Sequence, residues 1–175
     1  MPPVEPLIAS VFQPLFGQPC WGVKQGCGSF ITFEFGKPHQ RIHPVRRLSS
    51  SDHPHRAVVI RGDWHLWIYC CGWRIKADEV ELAHSESQES QISIACGRLD
   101  GQALQNVELQ LDVGRSRFEF DLGGLLETGP VDGELHEQWM LYCPDGRVFT
   151  YRSDGAVSFG PGNLKADEVQ WMRAG

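Results

Sequence analysis

Apolar and polar positions along this chain follow two different periods, and each period occurs twice. Ile8, Val11, Phe12 and Leu15 fall at i, i+3, i+4 and i+7, ahead of Gly17. Ile92, Ala95, Cys96 and Leu99 repeat that spacing ahead of Gly101. One apolar stripe per helical turn, ended by glycine, predicts short amphipathic helices over 5–16 and 89–100. Pro6 suits a first helical turn, and Pro14 predicts an early stop for the first helix.

The second period is two. Ile31, Phe33 and Phe35 alternate with Thr32 and Glu34, as Phe118, Phe120 and Leu122 alternate with Glu119 and Asp121. Alternation rich in aromatics predicts half-buried strands. Glycine-bearing turns precede both, around Gly26 to Gly28 and around Asp112 to Gly114. "LWIYC" from Leu66 and "WMLYC" from Trp139 form a further matched pair, with Leu66, Ile68 and Cys70 on one face and Trp139, Leu141 and Cys143 on the other's equivalent. "PDGRVFTYRSDGAVSFGPG" carries two Asp-Gly turns and predicts a hairpin. "KADEV" occurs at Lys76 and again at Lys165.

These matches run in one order. Their offsets are 101 − 17 = 84 at the helix ends, 116 − 29 = 87 at the aromatic strands, 142 − 69 = 73 downstream and 165 − 76 = 89 at the end, changing only at loops. The chain therefore reads as an α+β duplication. We expect a single domain over 1–175 built from two tandem pseudo-symmetric repeats, 5–80 and 89–170. Each repeat is a short helix with mainly antiparallel strands, too little to bury its apolar face alone, so the two share one core. The fall in offset from 87 to 73 places an inserted loop in the first repeat, at 43–56.

Composition adds limits. Hydrophobic residues make up 41% and charged residues 22%, a globular balance rather than a disordered one. No apolar run approaches the length of a membrane span. The opening "MPPVEPLIASVF" lacks the basic start and cleavage site of an export signal, so a cytoplasmic location is expected. In that setting the six cysteines read as free thiols. The net charge of −6 argues against nucleic acid as a partner.

A helix ending in "L-x-G-Q", a strand reading "F-x-F-G" and a strand opening on tryptophan resemble small uncharacterised bacterial domains. Some of these accompany polymorphic toxin systems as presumed immunity proteins. The resemblance covers most of both halves, rests on structural motifs, and implies a role in binding a protein rather than in catalysis. The His/Arg/Ser insertion departs from that family's pattern.

Three sets of residues are candidates for chemistry. His39, His43, His53 and His55 crowd the insertion, and imidazoles ligate zinc or nickel; a loop of solvated histidines has the same composition. His65, Trp67 and Tyr69 lie on the face opposite Leu66 and Ile68, where aromatics can line a ligand pocket or pack beneath the other half. Between Asp100 and Asp145 there are ten acidic residues against two arginines, Arg115 and Arg117. Such a surface steers a basic protein partner, with Glu119, Asp121, Glu127 and Glu134 as its contacts. Cys70 and Cys71, adjacent in a strand, point to opposite faces and read as structural thiols.

No Ser/His/Asp constellation, phosphate loop or dinucleotide fingerprint is present. The leading expectation is a non-catalytic, immunity-like protein-binding module without a cofactor. A metal-binding protein or metal-dependent hydrolase built on the histidine loop, and a small-ligand protein using the Trp/Tyr face, are the alternatives.

Overall fold

In the computed structural model, which describes residues 3–47 and 53–174, the first apolar stripe forms helix α1 (Val4–Phe12), followed by a 3₁₀ turn at Gln13–Leu15. Pro14 sits in that turn, where its missing N–H and fixed ring cannot extend the helix. The second stripe forms α2 (Glu89–Leu99) and buries Ile92, Ala95, Cys96 and Leu99. Neither helix is long and apolar enough to cross a membrane.

The rest is mostly antiparallel sheet. After α1 come β1 (Trp21–Gln25) and β2 (Ile31–Phe35), then four short strands, β3 (His39–Ile42), β4 (Arg46–Arg47), β5 (Pro54–His55) and β6 (Val58–Arg61). β7 (Trp64–Ile68), β8 (Gly72–Ala77) and β9 (Val80–His84) lead into α2. Beyond it run β10 (Leu104–Gln110), β11 (Arg115–Phe120), β12 (Gly124–Gly129) and β13 (Glu137–Tyr142). β14 (Arg147–Arg152) and β15 (Val157–Pro161) form the hairpin expected from the two Asp-Gly turns.

The long strands make two sheets. The first has the order β1-β2-β7-β13-β14-β15, the second β10-β11-β12-β8-β9. Each sheet is thus completed by strands from the other half of the chain. β7 meets β13 with Leu66 opposite Leu141, and β12 meets β8 with Leu126 opposite Ile75.

A reciprocal set of hydrogen bonds joins the two segments that follow the helices. Gly17 N–H donates to Leu104 O at 2.7 Å, and Gly101 N–H donates to Cys20 O at 2.8 Å. Leu104 N–H donates to Gln18 O at 3.0 Å, and Cys20 N–H donates to Gln102 O at 2.9 Å. Each bond has its counterpart at an offset of 101 − 17 = 104 − 20 = 84. The glutamines match as well: Gln18 Nε2 donates to Pro14 O at 2.6 Å and Gln102 Nε2 to Arg98 O at 2.7 Å. Gly17 and Gly101 take left-handed φ values of 80° and 87°, which a side chain would resist.

The inner faces of the sheets meet in one core. Phe33 stacks on Phe120 with centroids 6.2 Å apart, and Phe118 meets Trp139 edge-on at 5.4 Å. Phe12 of α1 enters this interface and touches Phe118, Trp139 and Phe149 at 5.8–6.3 Å. Both deeply buried indoles have hydrogen-bond acceptors, Trp73 in Ser29 O and Trp139 in Ser116 Oγ.

Several expectations change. Leu122 is exposed, because β11 ends at Phe120 and Leu122 lies in the turn. Cys71 rather than Cys70 reaches the core, since the chain bends after Ile68 and shifts the alternation. "LWIYC" and "WMLYC" are neighbours across a sheet. At Lys76 "KADEV" is a hairpin turn with left-handed Asp78 and Glu79, whereas at Lys165 it forms a 3₁₀ turn whose Glu168 accepts from Lys165 N–H. Flanking strands, present at the first site alone, decide the outcome. The expected loop 43–56 is in its described part a two-stranded ribbon, β4 pairing β5 beyond β3 and β6; residues 48–52 lie outside the described residues.

Phe12 is 1% exposed and touches rings from both sheets. Phe12→Ala should therefore lower stability by about 3–5 kcal/mol. Urea denaturation checks this as a fall in midpoint at unchanged slope.

Candidate interaction site

The ribbon is an arm that prolongs the β2–β7 hairpin past the end of the first sheet. Gly36 takes φ +77°, and a Cβ on Gly62 would collide with the Phe35 backbone, so two glycines let the paired strands bend there. Asp63 ties the bend together: its carboxylate accepts from Lys37 N–H at 2.7 Å and contacts His39 Nε2 at 2.5 Å.

A buried carboxylate anchors the arm to the sheet. Glu34, 2% exposed, accepts from Arg61 Nη1 at 3.1 Å and Gly62 N–H at 2.8 Å, and bonds His65 Nδ1 at 2.8 Å. Burial alone would raise its pKa. The His65 hydrogen bond, the Gly62 N–H and the charges of His65 and Arg61 outweigh burial and hold Glu34 below the usual carboxylate range. Sequence alternation placed Glu34 on a solvent face; its partners lie 27–31 residues away along the chain.

The arm has two unlike faces. Gln40 opposes Ile60 and Ile42 opposes Val58, so these four share one side. His39, Arg41, Val59 and Arg61 share the other, continuing the outer face of the sheet where Arg61 meets Glu34. The first face prolongs the core-facing side of β2 beyond the core. Ile42, Val58 and Ile60 are consequently 60%, 50% and 52% exposed, with Val45 further out at 51%. Arg46 and Arg47 lie on exposed β4, with exposed Arg56 nearby.

The four histidines are not drawn together. His39 faces Asp63, His43 N–H bonds Ala57 O, His55 opposes Arg46, and His53 is exposed. Among the described residues, the grouping of ligand-bearing side chains within 4.8 Å is Asp132, Glu134 and His136, on an exposed loop. Of the acidic candidates, Glu119 pairs with Arg117 at 2.9 Å and Glu127 with Lys76 at 2.8 Å. Asp121 caps Ala103 N–H at 2.8 Å, and Glu134 is mostly exposed beside His136. His65 is engaged by Glu34, while Trp67 and Tyr69 form a half-buried cluster with Phe30, at centroid distances of 4.6–5.9 Å. The signal for the arm was present in "RAVVIR", a β-branched run beside the polar insertion.

Thiol chemistry follows burial. Burial pushes the Cys20 and Cys71 thiols up to about 12, and those of Cys96 and Cys143 up to about 11. Cys27 is exposed. No family model, curated protein or solved structure matches this chain.

Two outcomes follow. Under native conditions a disulfide reagent should modify Cys27 rapidly and reach Cys20, Cys71 and Cys96 only after denaturant is added, as thiol counting would record. Glu34→Gln should cost about 2–4 kcal/mol at neutral pH. Because the folded pKa is depressed, the carboxylate's contribution is complete above the unfolded value of about 4.3 and is lost as pH falls through the folded value. The gap between parent and variant should therefore close on acidification in urea titrations.

Proposed function

We propose that the chain is a duplicated, non-catalytic protein-binding module whose β-arm engages an acidic partner protein. The observation that carries this reading is the amphipathic arm, with Ile42, Val58 and Ile60 at least half exposed on one face, Arg41 on the opposite face, and Arg46, Arg47 and Arg56 exposed on the ribbon beyond. Covering each of those three side chains is worth about 1 kcal/mol. The arginines would steer an acidic surface onto them. Phosphate backbone would leave the apolar side chains wet, and the remainder of an acidic chain repels polyanions.

The same arm suits the immunity-like role that the sequence resemblance implies. It supports an acidic partner better than the basic one expected from the second half, because Glu119, Asp121 and Glu127 are engaged within the chain. The reciprocal bonds at offset 84 support descent of both halves from one unit, joined by exchange of strands around a shared core.

A photo-crosslinking residue at position 60, introduced in the native cell, tests the arm. The expected result is one discrete adduct with an acidic protein, lost on Ile42→Ser with Val58→Ser and weakened by Arg46→Glu with Arg47→Glu. Adducts from position 134 but none from position 60 would overturn the arm in favour of the acidic face.

A further inference from the structure

The outer face of the second sheet carries a row of alternating charge. Glu108 opposes Arg117, Arg117 opposes Glu127, Glu127 opposes Arg74 and Arg74 opposes His84, so one line crosses all five strands. Opposite charges facing across strands stabilise such a line. One step along the strands the side-chain layer is interrupted: Gly129 faces Gly72. An open cleft of about 830 Å³ lies over this gap, edged by Arg115, Ser85, Glu86 and Pro130.

Neither glycine is required by its backbone, since neither takes a left-handed φ. A Cβ on Gly72 would meet Gly129 O at 3.7 Å, an ordinary contact. The gap is therefore open above Gly72 and covered by Arg115 on its Gly129 side. Arg115 runs across it, with Cγ 3.5 Å and Nε 3.9 Å from where a Gly129 Cβ would stand. Among the described residues Arg115 has no ion pair within 4.0 Å, unlike Arg74, Lys76 and Arg117. The neighbouring Arg117 is ion-paired, its buried Nε 2.9 Å from Glu119 Oε1. Arg115 thus holds unused donors at the cleft. Glu86 and Glu108 on its edge form no ion pair among the described residues.

We propose that this cleft binds a zwitterionic, peptide-like ligand. Its carboxylate pairs with the Arg115 guanidinium over the Gly72–Gly129 gap, the planar fork matching two carboxylate oxygens. Its ammonium group faces Glu86 or Glu108. A multiply charged phosphate fits less well, because Glu81, Glu86, Glu108 and Glu127 all line the cleft and would repel it. The site shares no residue with the arm and stands or falls independently of it.

Amide NMR titration of the full chain tests the proposal with three probes: the dipeptide Ala-Ala, N-acetylalanine and inorganic phosphate. Ala-Ala should shift the Gly72, Gly129 and Arg115 amides saturably, with an affinity in the millimolar range or tighter. N-acetylalanine, lacking the ammonium, and phosphate should bind more weakly. Arg115→Gln should weaken Ala-Ala by about tenfold or more. Gly72→Leu should fill the gap and abolish the shifts at an unchanged thermal midpoint. The proposal is overturned by phosphate binding more tightly than Ala-Ala, by no saturable shift up to ~20 mM, or by shifts undiminished in Arg115→Gln. Arg115→Gln carries the test alone if Gly72→Leu fails to fold.

Discussion

Four backbone hydrogen bonds between residues 17–20 and 101–104 set the relation between the two halves of this protein. They form after each helix ends, just before β1 begins and at the first residue of β10, so they fix where both sheets start. Gly17 and Gly101 supply the left-handed turns that bring the segments together, and Gln18 and Gln102 each occupy a carbonyl near the end of the preceding helical stretch. With the two starts locked side by side, the first three long strands of each half lie where the later strands of the other half can add to them. Phe12 then has rings from both sheets to pack against.

Much of this was legible in the sequence because it is local. The stripes at Ile8 to Leu15 and at Ile92 to Leu99 needed only helical spacing, and the Asp-Gly pairs at 145 and 154 needed only turn stereochemistry. Strand partnership was not local. Alternation says which face Leu66 takes but not which strand stands beside it, so a match between Leu66 and Trp139 segments was legible while their adjacency was not. "KADEV" shows the same limit, since five identical residues turn differently with and without flanking strands. Glu34 was hidden because its burial depends on Arg61, Gly62 and His65 arriving from a distant part of the chain. The histidines were visible as residue types, but their placement along a ribbon rather than around a point follows from β3 pairing β6.

The two sheets present opposite kinds of surface. The first extends outward into a thin ribbon whose apolar side has outrun the core, so its chemistry is that of an edge seeking cover. The second is broad and lined by charges that largely neutralise one another, so its chemistry is that of a polar platform with one break at Gly72 and Gly129. One sandwich with a shared core supports both.

Strand exchange between the halves also governs how the chain acquires its structure during synthesis. When the first 84 residues have left the ribosome, β7 lacks β13 and β8 lacks β12, so two internal strands stand as open edges. Neither sheet is complete until β12, 47–57 residues beyond its β8 partners, and β13, 71–77 residues beyond its β7 partners, have emerged, and contacts so distant in sequence form slowly. A nascent chain in this state presents these open strand edges to any neighbour on the same message. Rapid delivery of the second half is thus a protective step: the later strands act as an internal chaperone for the earlier ones.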